Sequence, residues 1–173
     1  MKKIISAILF VLLCFTACAK DTSSGVTSSA KTPVMSSEVE TSAKEALKMT
    51  IEITNSAGIV TELVATLEDN SATQELIARL QKAPIKMEMQ PYGGFEVYGT
   101  FDFKLPANDE HLTTKCGDLM LAWGNTLSLN YGKNIYSFTR IGFLDDVKNG
   151  KLDAAGLKKI LGNGNCSAVL KAE

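Results

Sequence analysis

The feature that most constrains the fold is a series of short segments in which apolar and polar residues alternate. Met49–Ile53 shows this pattern, and a turn at 55–58 separates it from a second such segment, Ile59–Leu67. Alternation with a period of two places the apolar side chains on one face of an extended strand. Together with the turn residues between segments, the pattern predicts eight strands, at residues 49–53, 59–67, 85–89, 95–103, 117–123, 126–131, 138–143 and 166–171.

Two segments have helical periodicity instead. Ser71-Ala72-Thr73-Gln74 has the form of a capping box, and the apolar residues after it fall at helical spacing until Pro84 ends the segment. Ala154–Leu161 is the second predicted helix, and Gly162 ends it. We interpret residues 105–114 as a polar connection. Many short strands with hairpin turns and two short helices predict a mainly β fold, a closed antiparallel barrel capped by the helices.

The N-terminus has the layout of a bacterial lipoprotein signal peptide. Two lysines precede an apolar stretch, 4–13, which is too short to span a bilayer core that needs about 20 residues. Small residues, Thr16 and Ala17, then lead to Cys18 and resemble a lipobox. We therefore predict cleavage before Cys18 and lipidation of its sulfur. The alternative is an ordinary secretory signal with an incidental cysteine.

The segment after this cysteine has the composition of a flexible tether. Residues 19–43 are rich in Ser, Thr, Ala and Lys and contain almost no large apolar residue. Such a segment cannot bury enough surface to offset the conformational entropy lost on ordering. We predict a signal peptide at 1–17, a lipidated cysteine and tether at 18–46, and a barrel domain at 47–173. The anchor predicts a location in the cell envelope, and the absence of Asp after the cysteine favours the outer membrane or cell surface over the inner membrane.

The composition argues against several kinds of chemistry. With 18 basic and 19 acidic residues the net charge is −1, which provides no strongly basic surface for nucleic acid. The single histidine, His111, excludes a multi-histidine metal site, and the cysteine spacings do not match a C-x-x-C zinc site. We therefore expect no metal and no cofactor. We interpret His111 and the acidic pair Asp145-Asp146 as solvated loop residues.

Two cysteines, Cys116 and Cys166, lie within the predicted domain. In an oxidising envelope they could form a disulfide. The alternative is that they are two separate, buried and inert thiols. The sequence leaves both open, because it does not show whether the two Cα atoms lie within bonding distance.

An ordered set of sequence blocks runs through the predicted domain. The blocks are Ala65-Thr66-Leu67-Glu68-Asp69-Asn70, Phe95-Glu96-Val97-Tyr98-Gly99, Cys116-Gly117-Asp118-Leu119-Met120-Leu121, Leu129-Asn130-Tyr131 and Tyr136-Ser137-Phe138-Thr139-Arg140-Ile141-Gly142. In this order they resemble the bacterial cyclophilin-like fold proteins over about residues 48–171. The resemblance implies a cyclophilin-type closed barrel of about eight antiparallel strands with two helices. It does not imply isomerase activity, because cyclophilins carry an arginine in an F-H-R-type block, whereas His111 is followed here by Leu112.

Aromatic and charged side chains at positions of the family pattern suggest a ligand site. They are Tyr92, Glu96, Tyr98, Trp123, Tyr131 and Arg140. Lining the mouth of a barrel, such side chains could hold a small ligand or a peptide. The alternative is that several of these rings belong to the core or the barrel wall, and that Glu96 and Arg140 pair with each other across neighbouring strands.

From these features we predict a membrane-tethered envelope lipoprotein whose barrel is a non-catalytic module for a peptide or a small ligand. A divergent peptidyl-prolyl cis-trans isomerase acting on envelope proteins is the alternative, since proline isomerisation needs no strong acid or base. A purely structural envelope protein is a third hypothesis. The implied partners are the membrane, through the lipid anchor, and the ligand, while the oligomeric state is left open.

Overall fold

Eight of the nine strands in the computed structural model, which describes residues 46–173, close into an antiparallel barrel. The strands are β1 (Lys48–Thr54), β2 (Val60–Leu67), β3 (Ile85–Tyr92), β4 (Glu96–Thr100), β5 (Glu110–Thr113), β6 (Asp118–Ala122), β7 (Thr126–Asn130), β8 (Ile135–Leu144) and β9 (Cys166–Ala172). The predicted signal peptide, Cys18 and nearly all of the predicted tether lie outside the described residues.

The barrel closes where β2, near the start of the domain, pairs with β8, near its end. Around the wall the order is β2-β1-β9-β3-β4-β7-β6-β8, and β8 returns to β2 through pairs that include Leu67 with Gly142. Closure leaves these eight strands without an exposed edge. β5 lies outside the closed wall and pairs with β8 alone. The prediction of a mainly β, closed antiparallel barrel of about eight strands is therefore confirmed.

Residues 46–173 also contain three helices: α1 (Ser71–Leu80), α2 (Asp145–Lys148) and α3 (Ala154–Leu161). Leu76 of α1 and Leu157 of α3 are fully buried in the same core cluster as inward-facing strand residues such as Ile51 and Leu129. Since strands form the wall, helices that reach this cluster cover the open ends of the barrel. Within residues 46–173, no helix has both the length and the apolar composition needed to cross a membrane.

The start of α1 differs by one residue from the prediction. The side chain of Asn70 accepts a hydrogen bond from the backbone N–H of Thr73 (3.1 Å), and the Thr73 hydroxyl accepts one from the backbone N–H of Asn70 (3.2 Å). The capping box is therefore Asn70 with Thr73, and not Ser71 with Gln74. Asparagine and serine cap helices about equally well, so the sequence alone did not distinguish them. The predicted bounds of α3, Ala154–Leu161, are confirmed.

One strand was missed by the sequence. β5 occupies part of the segment predicted as a polar connection, and it places His111 on an exposed strand and not in a loop. The strand has four residues, of which three are exposed and only Leu112 is partly buried. A strand outside the barrel needs little apolar surface, so it lacks the alternation on which the prediction relied.

The acidic pair after β8 was interpreted as solvated loop residues, but both residues lie in α2, and only Asp146 is exposed to solvent. Asp145 begins α2, accepts a hydrogen bond from the Thr66 hydroxyl (2.6 Å) and forms an ion pair with Lys48 (2.9 Å). Partial burial acts to raise the pKa of Asp145, but these contacts outweigh it and hold the pKa below its usual value. The carboxylate therefore ties α2 to β1 and β2.

The two cysteines are free thiols in the structure, so the disulfide considered above is not formed in it. Cys166 is buried at the start of β9, and Cys116 is partly buried just before β6. Burial raises the pKa of both thiols, most directly by disfavouring the charged thiolate. A raised pKa lowers the nucleophilicity of a thiol at neutral pH.

Candidate functional site

The outer face of the barrel wall carries a row of polar and aromatic side chains. On β4, Val97 faces the core, whereas its neighbours Glu96 and Tyr98 face outward. On the adjacent β7, Leu129 faces the core and Ser128 faces outward. Tyr98 and Ser128 are directly paired, so their side chains lie on the same outer surface.

This outer surface has a small apolar cluster of its own. Met120 and Ala122 of β6 and Phe138 of β8 are buried together, with Leu112 of β5 packed against them. These residues are separate from the core inside the barrel. β5 can cover them because it pairs with β8 outside the closed wall. The strand that the sequence missed thus helps to build the floor of the site.

A cavity of about 360 Å³ lies on this surface. Its lining is mainly aromatic, with a few polar groups. The lining residues are Tyr92, Phe95, Glu96, Tyr98, Ala122, Trp123, Thr126, Ser128, Asn134, Tyr136 and Phe138. A largely apolar concavity with a few convergent polar groups is the usual form of a small-ligand site, and this volume falls at the lower end of the range for such sites.

Among the described residues, Glu96 is the only ionisable carboxyl group that lines this cavity. Glu96 is 6% exposed, and its Oε2 atom is buried without a hydrogen-bond partner. Burial raises the pKa of Glu96, while the neighbouring side chains of Asn134 and Ser128 act in the opposite direction. Within residues 46–173, no group of three or more metal-ligating side chains could hold an ion. The buried Oε2 atom of Glu96 is an unsatisfied hydrogen-bond acceptor in a residue that lines the cavity.

Trp123 lies at the rim of the cavity, and its backbone has an unusual conformation. It lies in the β6–β7 hairpin with φ of 52°, followed by Gly124 with φ of 74°. Two successive positive φ values characterise a type I′ turn, whose positions favour Asn, Asp and Gly. A bulky residue there is strained, and the indole is nevertheless 65% exposed to solvent. Strain at an exposed aromatic side chain is a feature of functional sites.

Aromatic rings line two sides of the cavity. On one side Trp123 packs edge to face with Tyr136 at 5.8 Å between ring centroids, and Tyr136 packs with Phe138 at 5.4 Å. On the other side Tyr92 contacts Phe95 at 5.7 Å and Tyr98 at 6.0 Å. Edge-to-face pairs at these distances are favourable and hold the rings in place. The lining is thus organised before any ligand arrives.

Four of the six residues predicted for the ligand site lie together in this cavity: Tyr92, Glu96, Tyr98 and Trp123. Tyr131 does not line it. The residue is 9% exposed, and the Lys158 ammonium lies 5.9 Å from the centroid of its ring. Burial raises the pKa of Tyr131, and the charge of Glu96 raises it further.

Arg140 also lies apart from the cavity. Its side chain is exposed on β8, and its backbone carbonyl accepts a hydrogen bond from the Asn70 side chain at 2.7 Å. No ion pair within the described part of the chain joins Glu96 to Arg140. The proposed pairing is wrong because β7 and β6 separate β4 from β8. Arg140 is not among the described residues that line the cavity.

The cavity does not lie in the barrel mouth, where the sequence analysis placed the ligand site. The barrel interior is filled by the core cluster, and the cavity is on the opposite face of the wall. Sequence reasoning missed Phe95, Ser128, Asn134, Tyr136 and Phe138. The sequence pattern could have identified Ser128. In a strand, a serine between the core residues Leu127 and Leu129 faces away from the core.

Comparison with known proteins agrees with this architecture. A model of the cyclophilin-like family matches residues 57–165, which covers most of the barrel and every residue that lines the cavity. No curated protein and no solved structure shows significant similarity to the chain. On the extent of the family match and the closed barrel, the chain belongs to the cyclophilin-like family.

Proposed function

We propose that the protein is a lipid-anchored envelope protein whose barrel binds a small ligand or peptide, without catalysis, in the cavity on its outer wall. The observation that carries the binding proposal is the pairing of an exposed, strained Trp123 with a buried, unsatisfied Glu96 in one cavity. A folded protein gains nothing in stability from either feature. A ligand that covers the indole and satisfies the carboxyl group accounts for both.

The cavity can be tested with the intrinsic fluorescence of the full-length protein. The chain contains a single tryptophan, so emission reports directly on Trp123 at the cavity rim. We expect members of a library of small molecules and short peptides to shift this emission, because they displace water from the indole. Thr126→Phe should abolish the shifts, since this partly buried lining residue would then fill the cavity.

Thr61→Phe is the matched control for that experiment. Thr61 is also a partly buried threonine in a strand, but it belongs to β2 and does not line the cavity. The control variant should bind as the wild type does. Binding that survives Thr126→Phe, or a library without any compound that binds at Trp123, would overturn the proposed site.

The anchor is tested separately at Cys18. We expect Cys18→Ala to lose membrane association, because the residue would then have no sulfur to carry the lipid, and several acyl chains are needed for stable anchoring. Fractionation of cells expressing either form, together with the mass of the purified proteins, provides the measurement. Cys116→Ala is the control and should remain with the membrane. A wild-type protein that shows no lipid mass would contradict the anchor.

A further inference from the structure

We infer that the cavity selects ligands that carry a protonated amine, held by Glu96 between the two aromatic sides. The inference rests on the proposed function, since it names the chemical class of ligand for the same cavity. Three observations support it: the charge of the lining, the unsatisfied Oε2 atom of Glu96, and the arrangement of the aromatic rings.

The charge of the lining is unbalanced. Glu96 takes part in none of the ion pairs within residues 46–173, and no lysine or arginine lines the cavity. A buried carboxylate without a partner is costly, and a cation brought by the ligand would supply that partner. An anionic ligand of the same shape would meet only repulsion at this position. The lining is therefore complementary to positive charge.

The unsatisfied acceptor favours an amine that has N–H groups. Within the described part of the chain, Glu96 Oε2 is a buried side-chain atom without a hydrogen-bond partner. Glu96 lines the cavity, so its carboxyl group faces a ligand bound there. A primary ammonium group can donate hydrogen bonds to this atom, whereas a quaternary ammonium cannot donate any.

The aromatic sides favour a cation with an apolar body. Tyr98 stands beside Glu96 on one side, and Trp123 and Tyr136 form the other. The faces of such rings attract a cation at short range, tryptophan most strongly. The rings also bury the apolar part of a ligand, which a small inorganic cation does not have. An amphipathic amine, either a free molecule or a lysine side chain of a peptide, matches both properties.

Binding of an amine should depend on the ionisation of Glu96. Among the residues that the structure describes, the other titratable groups in the cavity lining are the phenols of Tyr92, Tyr98 and Tyr136. Burial favours the neutral form of the carboxyl group, and a bound cation favours its charged form. Affinity for the amine should therefore be highest above the pKa of Glu96 and should fall as the pH is lowered through it.

Three matched probes test the inference on the full-length protein. They are 2-phenylethylamine, 2-phenylethanol and 3-phenylpropionate, which present a similar apolar body with a positive, neutral or negative end. We expect the amine to bind at least about tenfold more tightly than either of the others, as measured by Trp123 fluorescence. Glu96→Gln should remove this preference and its pH dependence, and Glu52→Gln, in an ion pair on β1, should leave both unchanged.

The outcomes separate this inference from the proposed function. Equal binding of all three probes at Trp123, or an amine preference that survives Glu96→Gln, would overturn the amine selectivity while the cavity remained a binding site. Failure of the amine to bind would also overturn it. A lysine-containing tripeptide and its Nε-acetylated form distinguish the source of the amine. Preference for the unmodified peptide over 2-phenylethylamine would support a peptide ligand, and the reverse would support a free amine.

Discussion

Replacing Leu157 with alanine should lower the free energy of unfolding by about 2 to 5 kcal/mol. Leu157 is fully buried in α3 and belongs to the core cluster inside the barrel. The substitution loses the burial of the removed carbon atoms and leaves a cavity that a closed wall cannot collapse to fill. Chemical denaturation of the wild type and the variant, followed by circular dichroism, provides the measurement.

Lys159→Ala is the matched control in the same helix. Lys159 is exposed, so its substitution should change the free energy of unfolding by less than about 0.5 kcal/mol. If Leu157→Ala proved as mild as this control, α3 would not close an end of the barrel in solution. The difference in unfolding free energy between the two variants therefore measures how much the Leu157 side chain stabilises the core, and not the helical propensity of α3.

Gly142→Ala should lower the free energy of unfolding by about 3 kcal/mol. Gly142 lies on β8 at the junction with β2, where it pairs with Leu67. A Cβ atom at this position would lie 2.5 Å from the Thr66 carbonyl oxygen and 3.1 Å from the Leu67 Cα atom. Both are backbone atoms, so the methyl group can be accommodated only if the two strands move apart. Thermal and chemical denaturation would detect the loss.

Gly164→Ala separates this steric effect from the general cost of replacing glycine. The nearest atoms to a Cβ at Gly164 are those of the Ser56 side chain at 3.7 Å, which is an ordinary contact. We therefore expect Gly164→Ala to leave the stability almost unchanged. Equal stability of the two alanine variants would mean that β2 and β8 do not close the barrel as tightly as the structure shows.

The local sequence pattern was sufficient to predict a helix or strand wherever that element has one buried face. Ala154–Leu161 was predicted with its observed bounds, because apolar residues at helical spacing and a terminal glycine act within a few residues of one another. The same holds for the core strands, where Val97 and Leu129 alternate with outward-facing residues. β5 was missed because it lies outside the barrel and has no such face. Asp145 was misread because its partners, Thr66 and Lys48, are distant along the chain.

For this protein, the sequence alone determined the faces of the strands, and with them the outward position of Glu96, Tyr98 and Ser128. Only the tertiary structure decided which outward face became a cavity. That depended on β4 pairing with β7, and on β8 carrying β5 outside the wall. These pairings are non-local and are selected by closure of the whole barrel, so no segment encodes them by itself. Closure also separated Arg140 from Glu96 and placed a strained Trp123 opposite an unsatisfied carboxyl group.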